Sequence, residues 1–343
     1  MKLSQLKLVP MAAAIVMMGA AGSANAGAYG YSYLNVFNLF LSNTGPAPTN
    51  ITSTNTTSTV AGLLNPNVTD AHTGSLDAAQ AFVGGGTPVA LIGPQNMFNQ
   101  RTPNPAAPPF ETYARSDVQI VSTQFPQGTG NDTAQAVGVA EAHVADANTA
   151  TATARIGSTT GLTFTETVGA GTQITFSFLA DRYLRAFLNP LAALGSDASA
   201  NVTATITITN DAGGATVFSW APDGDITTAP FGGTEGSDPI SLNTGVAIHT
   251  PGSSILDTPG CGVPSSGVST TPDPGITPGT GTSKLCGAAF SATTNPLLAG
   301  TYTIKLNLTD SVDLVKVIPE PGTIALLGLG LAGLGFASRR KPV

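Results

Sequence analysis

Thr301-Tyr302-Thr303-Ile304-Lys305-Leu306-Asn307-Leu308-Thr309 alternates apolar and polar residues from end to end. In an extended chain Tyr302, Ile304, Leu306 and Leu308 share one face while Thr303, Lys305, Asn307 and Thr309 share the other, which is the pattern of a half-buried strand. The same period runs through 201–209, with Val202, Ala204, Ile206 and Ile208 opposing Thr203, Thr205, Thr207 and Thr209, and through Ile174, Phe176 and Phe178. Leu162, Phe164 and Val168 continue it, and segments around Val118 and Ile120, 152–156, 215–220 and 245–249 are shorter candidates. Threonine-rich faces opposed to β-branched ones suit an antiparallel sheet with one wet side. Eight or more such strands, separated by Gly, Asn and Asp turns, predict an all-β protein: an antiparallel β-sandwich or jelly-roll-like body over about residues 110–315.

Outside these segments the pattern is weaker. Residues 133–148 are alanine-rich and ambiguous in period, with Gly138 favouring a strand, whereas Ser75 to Val83 reads as a short helix capped by Ser75. Tyr29, Tyr31, Tyr33, Phe37 and Phe40 make 29–41 the most aromatic stretch. It reads as a first strand closing a sheet edge, with an exposed glycan-binding surface as the functional alternative. Residues 42–60 and the proline-rich 93–109 read as loops or disordered inserts, because they offer little apolar area to offset ordering entropy. The organisation expected is 1–26, a signal peptide; 27–116, an N-terminal strand with polar and proline-rich loops; 117–316, the sandwich body; and 317–343, a C-terminal address.

Only 10% of the 343 residues are charged. Between residues 27 and 318 there are 8 basic against 19 acidic residues, a net of −11. Such a body does not fit nucleic acid, whose phosphates require clustered positive charge.

The basic residues excluded from that count sit at the ends. Lys2 and Lys7 precede an apolar run from Leu8 to Met18, and Ala24-Asn25-Ala26 places small residues where a signal peptidase reads them, so cleavage is expected after Ala26. At the other end, Pro319-Glu320-Pro321 is followed by an uncharged stretch, Thr323 to Ala337, and then by Arg339-Arg340-Lys341. As a helix those residues span about 22 Å, short of the ~30 Å hydrocarbon core, so the anchor is a strained one. The basic cluster should stay cytoplasmic, which places the body outside. Pro319 and Pro321 lack amide donors and hold the preceding segment extended and readable by a protease.

Pro319-Glu320-Pro321, the short Leu/Gly/Ala helix and the terminal Arg339-Arg340-Lys341 together resemble the PEP-CTERM sorting signal of exported surface proteins of Gram-negative bacteria. The resemblance covers about 317–343. It implies recognition by exosortase, a membrane-embedded cysteine protease-transpeptidase, removal of the tail near the motif, and transfer to the outer surface.

Cys261 and Cys286 are the two cysteines of the chain, both in the exported part, and their spacing across a Pro/Gly/Ser/Thr-rich segment reads as a disulfide. No catalytic constellation is legible. His72, His143 and His249 lack metal-ligand spacing, and nucleotide or nucleophile-elbow motifs are missing. The carboxylates Glu111, Glu141, Glu166 and Glu235 are scattered, and Asp223-Gly224-Asp225 is only a fragment of a calcium loop, so no cofactor is expected, with calcium a weak alternative. Asp181 to Phe187 is read as covering a sheet edge, its arginines in water or paired with Asp181.

The expectation is a non-enzymatic surface or extracellular-matrix protein, structural or adhesive, associated with exopolysaccharide or biofilm. The alternative is a secreted carbohydrate-binding or carbohydrate-active sandwich. Its expected partners are signal peptidase, exosortase, the membrane through 323–337 before processing, and exopolysaccharide.

Overall fold

The computed structural model describes residues 27–44, 55–64, 68–74, 79–84, 112–121, 134–144, 152–189, 194–259, 261 and 287–317. The segments expected to be a signal peptide and a C-terminal helix, the sorting motif and the proline-rich 93–109 lie outside them. Among the described residues no helix is long and apolar enough to cross a membrane.

Among the described residues fifteen strands follow one another: β1 (Ala28–Asn43), β2 (Asn55–Leu64), β3 (Val68–Gly74), β4 (Ala79–Gly84), β5 (Tyr113–Val121), β6 (Ala134–Val144), β7 (Ala152–Val168), β8 (Ile174–Leu188), β9 (Asp197–Asn210), β10 (Thr216–Trp220), β11 (Gly233–Ser237), β12 (Thr244–Ile248), β13 (Gly252–Asp257), β14 (Ala288–Thr294) and β15 (Gly300–Lys316). They form two antiparallel sheets. The first has the order β11-β14-β8-β1-β6-β5-β4, with β13 also on β8, and the second the order β10-β9-β15-β7-β2-β3, with β12 also on β9.

The alternating segments behave as their period requires. Tyr302, Ile304, Leu306 and Leu308 are buried on the inner face of β15, as are Val202, Ala204, Ile206 and Ile208 of β9 and Ile174, Phe176 and Phe178 of β8. Phe178 stacks on Phe290 with ring centroids 5.0 Å apart and also meets Trp220, while Phe176 stacks on Phe218. These rings fill the space between the sheets. Near the other end the sheets approach closely: a Cβ on Gly30 of β1 would lie 2.4 Å from Val312 of β15. The absence of a side chain is what allows that contact.

Several local expectations are corrected. Residues 79–84 form β4 rather than the end of a helix, because pairing with β5 along its whole length outweighs a weak cap signal. Residues 55–60 belong to β2, paired with β7 from Asn55↔Thr163 onward, so that part of the polar stretch is sheet and not loop. β1 does not close an edge: it lies between β6 and β8. Its inner-face parity changes between Val36 and Leu39, where the register shifts and Asn38 takes φ 53°. Asparagine tolerates this left-handed conformation better than other non-glycine residues, so it suits a β-bulge here. β8 is also interior, and Arg182 is buried in it, donating from Nη1 to the Ser241 carbonyl. Its backbone amide donates to Thr258 Oγ1 at 2.8 Å. The Asp181–Phe187 segment is thus core and not edge cover.

Candidate functional site

The residues with an address function are joined to the body at one pole of the sandwich. β1 starts where β6 and β8 end, Ala28 pairing with Val144 and Leu188. β15 ends where β9 and β7 begin, Val315 pairing with Asp197 and Lys316 with Ala152. Of the connection from β8 to β9, the described residues Asn189 and 194–196 lie at this pole and meet Gly27 and Val317. Asn189 donates its amide to the Gly27 carbonyl at 2.9 Å. On its far side the Val317 amide donates to Ser196 Oγ at 3.0 Å. Between these clamps Gly195 takes φ +89°, and Leu194 projects into solvent with 94% of its area exposed.

The clamps hold Gly27 and Val317, the described residues nearest the expected signal-peptidase site and the sorting motif. Ala24 and Ala26 lie outside the described residues, yet the residue after the expected scissile bond is Gly27, already bonded to the β8 end. Pro319, Glu320, Pro321, Arg339, Arg340 and Lys341 lie outside them as well. Pro319 follows Val317 by two residues, so in the sequence the motif comes directly after a strand paired on both sides. Asn189, Leu194 and Ser196 escape a sequence reading, because nothing in their local pattern tells of the ends that meet beside them.

Cys261 follows β13, its amide donating to the Thr258 carbonyl at 2.9 Å. Cys286 and the proposed pairing lie outside the described residues. Both flanking strands lie on the same edge of β8, with Asp257 opposite Tyr183 and Ala288 opposite Ala180. The chain therefore leaves that edge and returns to it three pairing positions further along, about 10 Å away.

Among the described residues, the carboxylates considered for catalysis have different hydrogen-bond partners. Glu111 lies outside the described residues. Glu141 is buried against Arg115 of β5, whose Nε lies 2.6 Å from Oε2 and whose Nη2 is also in contact, and it accepts from Tyr29 Oη at 2.9 Å. Glu166 accepts from Asn43 Nδ2 at 3.2 Å, and burial raises its pKa. Glu235 accepts from Trp220 Nε1; burial raises its pKa most, with Asp238, Asp223 and Asp225 adding to the shift. Asp223-Gly224-Asp225 is a turn capped by Asp238, whose Oδ2 accepts the amides of Asp223 and Gly224 at 2.8 and 3.0 Å. Among the described residues no group of three or more His, Cys, Asp or Glu side chains is arranged to hold a metal ion.

The aromatic row does not form an exposed glycan platform. Tyr29, Tyr31 and Tyr33 are at most 1% exposed, clustered with Val137, Val139, Tyr183 and Phe187. Burial, helped by Glu141, pushes the Tyr29 hydroxyl well above its ordinary range, so it stays a neutral donor. His143 is buried beside the Tyr113 ring, and His249 Nδ1 lies 3.0 Å from Asp197 Oδ1 at the exposed pole.

The exposed face of the second sheet is different in kind. On β15, Thr303 faces Thr209 and Thr165, Lys305 faces Thr207 and Thr163, and Asn307 faces Thr205. All are exposed or half-exposed. The result is a surface of threonine hydroxyls and methyls, with Lys305 and Asn307 among them, in rows about 4.8 Å apart across the strands.

A family model for the PEP-CTERM protein-sorting motif matches residues 317–341, which span the Pro-Glu-Pro tripeptide and the basic cluster. The chain therefore carries a sorting motif that marks it as exosortase-processed export cargo with a membrane-anchored stage before surface release. No curated protein matches the chain. Among solved structures, that of the infectious bursal disease virus Gt strain aligns at 12% identity over 90% of this chain and 88% of that chain, with a TM-score of 0.08, which bears on neither fold nor function.

Proposed function

We propose that this chain is a structural or adhesive component of an extracellular polysaccharide or biofilm matrix, delivered by exosortase and without catalytic activity of its own. The observation that carries the reading is the sorting motif two residues beyond the clamped end of the central strand β15. Three features of the body support it. The described carboxylates are engaged in hydrogen bonds with different partners, the aromatic row is buried, and the threonine face offers uncharged hydroxyls across three strands. Such a face suits neutral sugar chains, which are bound through many weak, hydrated contacts. Deleting residues 319–343 removes the anchor with the motif and should leave the exported body unanchored inside the outer surface, measured by fractionation, and abolish its recovery with the matrix. Unchanged surface display would refute sorting through this motif. If the full-length protein reaches the surface but purified residues 27–318 do not co-sediment with the matrix polysaccharide, the adhesive role fails while sorting stands.

The same reading includes a Cys261–Cys286 disulfide. The return of β14 to the edge that β13 leaves brings the bases of the intervening segment together. A crosslink closing a loop of this length stabilises by roughly 3 kcal/mol in the chain-entropy model. Intact mass of the exported protein after alkylation should show no added groups until reductant is present; alkylation of both cysteines without reductant would exclude the bond.

A further inference from the structure

We infer that the pole formed by Gly27, Asn189, residues 194–196 and Val317 is the surface that faces the lipid bilayer during the anchored stage, with Leu194 as its interfacial contact. The inference rests on the sorting reading. It goes beyond that reading by assigning an orientation to the body and a lipid-facing residue.

Three observations converge. Both chain ends leave from this pole, clamped on opposite sides of one connection: Gly27 by Asn189 and Val317 by Ser196. The apolar stretch begins at Thr323, six residues beyond Val317, and even fully extended those residues reach only about 20 Å. The strands are 16 and 17 residues long in β1 and β15, so the opposite pole lies on the order of 50 Å away. A tether of that length cannot bring the far pole to the bilayer while β15 stays paired. Within the near pole, Leu194 is the described large apolar residue with the greatest exposure, 94%. An apolar side chain held at the interface by a nearby anchor loses its unfavourable hydration when it enters the headgroup region. Asp197, at the start of β9, is matched there by His249 at 3.0 Å, so a carboxylate at this pole faces an imidazole rather than the lipid alone.

The far pole supplies the control. Leu298 is 76% exposed, beside the start of β15, where Leu297 bridges Thr172. The test uses residues 27–343 reconstituted into phosphatidylcholine vesicles carrying doxyl-labelled lipid. Leu194→Trp and Leu298→Trp each add a reporter at an exposed position, against the single buried Trp220 of the parent. The expected result is flotation of both variants with the vesicles and at least two-fold stronger quenching at position 194 than at 298. Flotation with equal quenching, or stronger quenching at 298, overturns the orientation and leaves the anchor intact. Failure of both proteins to float overturns the anchored stage itself, and the orientation with it.

Discussion

Replacing Asp310 with asparagine should stabilise the folded protein at pH 8 by a few kcal/mol and change little at pH 4. Asp310 sits on the inner face of β15, fully buried between the sheets. Burial pushes its pKa up to about 8, only partly offset by Ser32. The Ser32 hydroxyl lies 2.8 Å from the Asn201 carbonyl and 3.1 Å from Asp310 Oδ1. That hydroxyl is the donor in both contacts, shared between the Asn201 carbonyl and Asp310 Oδ1. A protonated Asp310 keeps Oδ1 as the acceptor for Ser32, so the contact crosses from one sheet to the other with the carboxyl neutral.

The pH dependence follows from that neutral form. Below the ordinary aspartate pKa both folded and unfolded states hold the proton, and the acid costs nothing. As pH rises from about 4 towards 8 the unfolded chain ionises while the folded one resists, so stability falls, and above 8 both states are ionised and the loss levels off. A shift of this size corresponds to a loss of about 5 kcal/mol across the window, an order-of-magnitude figure. Asparagine keeps the shape and an oxygen to accept from Ser32 without the ionisation. Asp181, raised to about 7 mainly by burial, pulls in the same direction, but it is common to both proteins and cancels in the difference. Urea unfolding of parent and Asp310→Asn at pH 4, 6 and 8 provides the measurement. Parallel profiles would mean that Asp310 is ionised and solvated in the native state.

Truncating Arg115 to alanine should cost about 3–5 kcal/mol, far more than an exposed ion pair is worth. Arg115 and Glu141 stand directly opposite one another on β5 and β6, with side chains only 5% and 0% exposed. Removing the guanidinium leaves a carboxylate in a low-dielectric site with Tyr29 as its remaining named donor. The double replacement Arg115→Met with Glu141→Leu removes both charges and should recover most of the loss, because desolvating the pair already offsets much of its attraction. A double-mutant cycle in urea reads the coupling. A cost below about 1 kcal/mol for Arg115→Ala would show a pair screened by water rather than a buried one.

This pair also shows where sequence reading reaches its limit. Glu141 looks like any solvated acid on an alanine-rich segment, since its partner is 26 residues away and the tyrosine that bonds it is 112 residues away. The tyrosines of β1 carry the period of a strand, but only the sheet order places that strand between β6 and β8 instead of at an edge. The strand period did locate β15, β9 and β8 with their inner faces, because burial on one side of a pleated chain imposes a two-residue repeat that any window can read. It missed β4 and the beginning of β2, whose pairing partners supply what their own propensities lack.

The amino-acid sequence determined the all-β class, the strands with a clean apolar face, and the sorting signal at 317–341, since each is written in consecutive residues as a period or an ordered motif. The tertiary structure alone decided that Gly27 and Val317 meet at the β8–β9 connection, that Asp310 joins the sheets through Ser32, and that the aromatic row is interior. The physical reason is that these facts arise from antiparallel pairing between strands far apart in the chain, and a local pattern constrains which side of a strand is apolar without specifying which strand lies beside it.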